Sequence, residues 1–155
     1  IEKGESETVE FKSTLRWNVE KHRKDKEIEF AVLKTIVGFM NSEGGTLLIG
    51  VNDNKKVIGL QNDYDTLWKP NRDGFELYLR SKIDSFIGKE FAHLIKVGFK
   101  ESEGEDICRV KIKTSPKPIF IEKDGEEEFY IRSGNATKPL GKKEITEYVK
   151  IHWEK

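Results

Sequence analysis

The sequence predicts a mixed α/β domain in which a mostly antiparallel sheet carries packed helices. Three observations lead there. Residues 46–51 form a continuous, largely apolar run of strand length, the pattern of a central strand covered on both faces. Residues 27–41 and a stretch marked by Phe75, Leu79, Ile83 and Phe86 repeat apolar side chains at helical spacing. Beyond them, strand candidates follow one another within 93–132 before a last helix. That order describes helices packed on a mixed sheet rather than a strict βαβ repeat.

Element by element, residues 7–12 alternate Val9 and Phe11 with polar neighbours, as a half-buried strand does. Residues 16–26 are polar and include the charge run 21–26, which reads as a mobile loop. The helix over 27–41 carries Ile28, Ala31, Val32, Thr35, Ile36 and Phe39 and is broken by Gly44-Gly45. After the strand at 46–51, Asn52-Asp53-Asn54 is a turn and 57–60 the returning strand of a hairpin. A second helix ends near Gly88. Strands are expected at 93–100, 107–113 and 129–132, with a short extended piece at 119–122. Ser115-Pro116-Lys117-Pro118 belongs to an edge or loop. The last helix covers 142–153, with Ile145, Tyr148, Val149 and His152 or Trp153 on one side.

At 155 residues the chain suits one domain, 1–155, large enough to bury a core without a disulfide or structural metal. Nine Phe, three Trp and four Tyr argue against disorder despite 36% charged residues. Lys plus Arg number 28 and Asp plus Glu also 28. A nucleic-acid surface on this chain must therefore be a local patch balanced by acid elsewhere. The single Cys108 excludes an internal disulfide and a Cys-rich zinc site, and reads as a small strand residue. No run approaches membrane-span length and no signal peptide opens the chain, so the expected compartment is the cytoplasm. The chain opens on Ile1 rather than Met, as a piece of a longer protein would.

Three segments read together as a signature. They are Gly4-Glu5-Ser6-Glu7-Thr8-Val9-Glu10-Phe11-Lys12, the helix-turn-strand from Phe39 through Asn41-Ser42-Glu43-Gly44-Gly45 to Asp53, and Phe129-Tyr130-Ile131-Arg132-Ser133-Gly134-Asn135-Ala136-Thr137. In their order and separation they resemble the Schlafen AlbA-like domain family. The resemblance implies a compact α/β domain, found alone or fused to helicase-like or regulatory parts. It also implies nucleic acid as a partner. Prokaryotic members are often labelled DNA-binding or ATP-binding modules, and animal relatives include divalent-metal-dependent endoribonucleases acting on structured RNA such as tRNA.

Glu10 and Lys12 are two apart on a predicted strand and so share a face. A carboxylate suits a hard divalent cation, Mg²⁺ or Mn²⁺, while the ammonium orients water beside a phosphate. Asp53, just beyond a strand end, is a natural second ligand. The resemblance implies three acids at such a site, matched here by Glu5, Glu10 and Asp53, with Lys12 beside them. Glu5 and Glu10 differ by an odd number, so the chain must bend near Ser6 or Glu5 must precede the strand. Glu7 competes as the relevant acid. The alternative is that Glu10 and Lys12 are a solvated same-face pair.

Residues 132–138 offer a guanidinium in Arg132, hydroxyls in Ser133 and Thr137, the Asn135 amide, Lys138 and a glycine that lets backbone approach. Such a set suits phosphate; it equally suits an ordinary turn whose polar side chains satisfy local backbone. Gly44 and Gly45 read as helix-ending residues, with Asn41 open between roles. No Walker or dinucleotide glycine motif occurs, so ATP binding rests on the resemblance alone.

Basic runs at Lys21, Arg23, Lys24 and Lys26, at Lys113 and Lys117, and at Lys142 and Lys143 would extend a phosphate surface if they converged. Trp17 and Trp68 are expected in the interior, and His22, His93 and His152 have no metal-ligand spacing. Three functions stay open: a metal-dependent endoribonuclease, a non-catalytic DNA- or nucleotide-binding regulatory module, and a protein-interaction domain. A homodimer or a fused partner domain is compatible with each.

Overall fold

In a computed structural model, which describes residues 3–154, the chain opens with β1 (Val9–Lys12) and a small hairpin of β2 (Trp17–Asn18) and β3 (Arg23–Lys24). Helix α1 (Lys26–Met40) leads into β4 (Gly45–Ile49). A short α2 (Gln61–Tyr64), then α3 (Arg72–Phe86) and a 3₁₀ segment (Lys89–Leu94) follow. The long antiparallel pair β5 (Ile95–Ser102) and β6 (Glu105–Ile112) comes next. Two hairpins, β7 (Ile121–Lys123) with β8 (Glu126–Glu128) and β9 (Tyr130–Ser133) with β10 (Ala136–Pro139), precede α4 (Lys142–His152).

The main sheet has the order β1-β4-β6-β5. Only the β1–β4 pair is parallel; β4–β6 and β6–β5 are antiparallel. This is the expected mixed, mostly antiparallel sheet. One face packs on α1 and α3, where Val32, Ile36, Val37, Phe39, Leu47, Ile49, Phe75, Leu79, Ile83 and Val110 are wholly buried. Fully burying each such side chain contributes about 1.5–3 kcal/mol. Cys108 lies in this core on β6, and burial raises its thiol.

The other face holds only a small cluster, Phe11, Val51 and Ile107, with Val9, Leu48 and Val57 against it. The expectation that β4 is covered on both faces therefore needs correction. Leu47 and Ile49 point into the helical layer, while Thr46 and Leu48 stay partly open on the far side. An apolar run shows that both faces tolerate apolar side chains, not that both are capped by helices.

Four other expectations change. Residues 57–60 form no strand; they meet β4's extension through the Val51–Val57 bridge and through the Ile58 and Gly59 N–H groups on the Gly50 carbonyl. The strand ending at Arg132 joins no main-sheet strand but a separate hairpin with β10. The polar stretch 16–26 is folded down by Asp63, whose carboxylate accepts the backbone N–H groups of Leu15, Arg16 and Trp17 at 2.7, 3.1 and 3.2 Å. The Arg16 guanidinium donates to Thr66 and Tyr78, and Asp25 caps α1 by accepting from Glu27 N–H. Trp68 stands fully in solvent, where burial was expected.

Gly44 is required where α1 meets β4. Its φ is +76°, and a Cβ there would lie 2.6 Å from the Ile112 carbonyl oxygen. Gly45 next to it leaves room for the Phe39 ring, which a Cβ would meet at 2.5 Å. Asn41 is wholly buried and joins distant segments. Its amide donates to the Ile119 and Tyr130 carbonyls and its oxygen accepts from Ile119 N–H, all at 2.9 Å. Helix α4 lies outside, held by the Tyr148 hydroxyl on the Asn41 carbonyl and by Trp153 Nε1–H on the Ser115 carbonyl.

Candidate functional site at the edge of the first strand

Strand β1 pairs with β4 along one side only, so its outer edge must be satisfied by other groups. The chain turns back through Ser6, which exchanges backbone hydrogen bonds with Val9. Glu5 thus precedes the strand, which meets the condition set by the odd spacing. Its Oε2 accepts the outward-facing Phe11 N–H at 2.9 Å. The Val9 carbonyl on that edge, with the Ser6 and Glu7 carbonyls just before it, accepts from Arg132, which arrives from β9.

Arg132 is buried, with its side chain 1% exposed, and lies over the Phe39 ring. Its five N–H donors each find an acceptor. Nε donates to the Glu7 carbonyl, Nη1 to Glu10 Oε1 at 2.6 Å and to Thr137 Oγ1, and Nη2 to the Ser6 and Val9 carbonyls. Its backbone N–H donates to Ser42 Oγ. The expected phosphate role of Arg132 is not available in this arrangement: no donor is left and the group does not reach solvent. The guanidinium instead locks the β9–β10 hairpin to β1.

Glu10 sits between two cations, with Oε1 on Arg132 and Oε2 at 3.5 Å from Lys12 Nζ. The Glu5 carboxyl is held above its ordinary value, first by burial and then by neighbouring Glu10 and Asp53, against the lowering effect of the Phe11 N–H. Asp53 is exposed on a turn shaped by Asn52, whose Oδ1 accepts from Asn54 and Lys56 N–H. The turn is tied to the end of β1 by Gly50 and Val51 N–H on the Lys12 carbonyl. Glu5, Glu10 and Lys12 thus have Asp53, about forty residues further on, as a neighbour.

They are not arranged as a ligand set for Mg²⁺ or Mn²⁺. Both Glu10 oxygens face protein cations and one Glu5 oxygen holds a backbone N–H. Among the described residues no three His, Cys, Asp or Glu side chains stand in metal-holding geometry. As it stands, Glu10 is ion-paired with Arg132 and Lys12, and Glu5 holds the Phe11 N–H beside it.

The rest of the expected phosphate loop divides. Ser133, Asn135 and Lys138 are exposed on the hairpin, and the space around Gly134 is open. Thr137 faces inward, accepting from Arg132 and lying against Gly38. Ser42, which accepts the Arg132 N–H, was not singled out as a partner of this site. Only the strand alternation of Tyr130 and Arg132, both buried, hinted that Arg132 points inward.

Fold and site together define a mixed α/β domain with a charged cluster at a strand edge, locked from a distant hairpin. The Schlafen, AlbA_2 family model matches residues 5–141. The chain belongs to the Schlafen AlbA_2 family. A solved structure of the DIP2311 protein from Corynebacterium diphtheriae is similar, at 21% identity and a TM-score of 0.63, over 94% of this chain and 27% of that one. The N-terminal domain of a RecG-related protein from Nitrosomonas europaea shares 19% identity over 81% of this chain and 75% of that one, with a TM-score of 0.48. Among curated proteins no significant match was found. The chain thus spans about a quarter of the DIP2311 protein's length. No helix among the described residues is long and apolar enough to cross a membrane.

Proposed function

We propose that this chain is a cytoplasmic nucleic-acid-binding domain, RNA ahead of DNA, acting as one module of a larger protein. Family membership supports the nucleic-acid reading. The observation that carries it to particular residues is the Arg132 lock. By pinning the β9–β10 hairpin to β1, it holds Ser133, Asn135 and Lys138 outward around an open Gly134 backbone. Hydroxyl, amide, ammonium and free backbone N–H are the groups that meet a phosphate. No ATP-dependent step is part of the proposal, because the chain carries no glycine motif for nucleotide phosphates.

The test is binding of labelled tRNA and of DNA by purified protein across a salt series. Phosphate contacts weaken steeply as salt rises. Binding lost in the Ser133→Ala, Asn135→Ala, Lys138→Ala triple variant supports the reading. Binding unaffected by salt points to a protein-interaction domain instead.

A second reading, Mg²⁺- or Mn²⁺-dependent cleavage of structured RNA, is favoured by the gathering of Glu5, Glu10 and Asp53 beside Lys12. It requires Glu10 to give up its ion pairs with Arg132 and Lys12, and Glu5 its hold on the Phe11 N–H. Cuts in a labelled tRNA pool that need added metal and vanish in a Glu5→Gln, Asp53→Asn double variant would support it. RNA left intact by the wild-type protein with either metal would leave binding alone.

A further inference from the structure

Residues 109–113 alternate Arg109, Lys111 and Lys113 with Val110 and Ile112, and the structure follows that alternation: the three cations are exposed and the two apolar side chains buried. Register carries the pattern across the sheet. Lys96 on β5 is directly opposite Lys111, Gly98 opposite Arg109 and Lys100 opposite Ile107. Lys96, Lys100, Arg109, Lys111 and Lys113 therefore share the sheet face turned away from α1. Like charges directly opposite on paired strands repel, yet among the described residues none of the five has an ion-pair or hydrogen-bonding side-chain partner.

Two hollows of about 590 and 240 Å³ lie on this face. Lys96 and Lys111 line the first, Lys100 and Arg109 the second, and Val9 and Thr46 line both, so the hollows form one trough. The neighbouring acids stand at its borders: Glu43 at the rim of the larger hollow and Glu105 opposite Ser102 at the far end of the β5–β6 pair. The whole chain balances 28 basic against 28 acidic residues, so this concentration is local.

We propose that this open sheet face is a docking surface for the phosphate backbone of a nucleic-acid duplex; the proposal rests on the nucleic-acid reading and adds a site separate from the hairpin. Charge complementarity argues for the occupant. Same-face residues on one strand are about 6.8 Å apart, and the next strand lies about 4.8 Å away. The five cations thus make two short parallel rows. A duplex presents one negative charge per about 1.7 Å of its axis and answers such an array with several phosphates. Apart from the His93 imidazole at the larger hollow, the face offers no exposed aromatic ring among the described residues, since Phe11 is buried. Single-strand recognition uses such rings as stacking platforms, so the surface suits backbone contact. Glu10 and Lys12 project to the opposite side of β1 from Val9 and Phe11. Duplex binding and the carboxylate cluster therefore occupy opposite faces of one sheet.

The experiment compares fluorescence anisotropy of labelled RNA duplex, DNA duplex and single strands of the same sequence. It uses the wild-type protein, a Lys96→Gln, Arg109→Gln, Lys111→Gln variant, and a control variant at exposed lysines away from both sites, Lys69→Gln, Lys89→Gln and Lys150→Gln. Thermal melts verify that all three are folded. The expected result is duplex binding weakened about a hundredfold or more at low salt in the sheet variant, with the slope of log K against log salt shallower by about 2–3. The control keeps wild-type affinity. Equal binding by the sheet variant and the wild type overturns the sheet-face proposal and leaves the nucleic-acid reading standing. Tighter wild-type binding to single strands than to either duplex overturns the duplex assignment. Absence of wild-type binding to every nucleic acid overturns both.

Discussion

Arg132 Nη1 lies 2.6 Å from Glu10 Oε1, joining two residues 122 positions apart in a contact almost shut off from solvent. Glu10 is one of the three acids, with Glu5 and Asp53, that the family resemblance implies for a metal site. Here it is also the anchor of the hairpin that closes the domain. One carboxylate thus serves the fold and the candidate site at once.

Replacing Arg132 by Met should destabilise the domain by about 3–5 kcal/mol, because Glu10 loses its closer cation and keeps only Lys12, while the Ser6, Glu7 and Val9 carbonyls lose a buried donor. Arg132→Lys should recover only part of the loss, since a lysine cannot reach five acceptors with a planar fork. Urea unfolding measures both. A loss below about 1 kcal/mol for the methionine variant would mean that the lock is not structural.

Glu5 predicts a pH effect of definite sign. Burial, Glu10 and Asp53 hold its carboxyl above the ordinary value of 4.5, so the folded chain binds this proton more tightly than the unfolded chain. The contribution is fully present below the ordinary value and is lost as pH rises through the raised one. Glu5→Gln removes that dependence and keeps an oxygen for the Phe11 N–H. The variant should gain on the wild type as pH increases through this window, as read from denaturant midpoints. A gap between the two that does not change with pH would contradict the assignment.

Asp63→Ala strips acceptors from the N–H groups of Leu15, Arg16 and Trp17. With about 1–3 kcal/mol for each buried group left unsatisfied, the expected cost is about 3 kcal/mol or more. Hydrogen exchange should quicken across residues 15–24 before it does in α3. Uniform protection in the variant would show that the segment is held by something else.

Lys111→Gln should stabilise the ligand-free domain by about 0.2–1 kcal/mol at low salt, by removing the repulsion with Lys96. The gain should fade in about 1 M salt, where exposed charges are screened. A gain independent of salt would point to packing rather than charge.

Helices α1, α3 and α4 and strands β1, β4, β5 and β6 were legible because their side chains repeat with the period of the element. The 16–26 segment was not, because its order comes from a carboxylate 46–48 residues further on. The residues of the acid cluster were named from motif and spacing, but Arg132 was read as a ligand for phosphate. Composition describes a guanidinium in a polar loop; only packing shows where it points.

By itself, the sequence determined the mixed α/β class, the helix-ending glycines and the candidate acids. Tertiary structure alone decided that Arg132 turns inward to Glu10, that Glu5 and Asp53 stand beside that pair, and that Lys96 faces Lys111 across two strands. The physical reason is range. Periodicity and turn chemistry act over a few residues along the chain, whereas ion pairing and strand register depend on which distant segments are brought together in space.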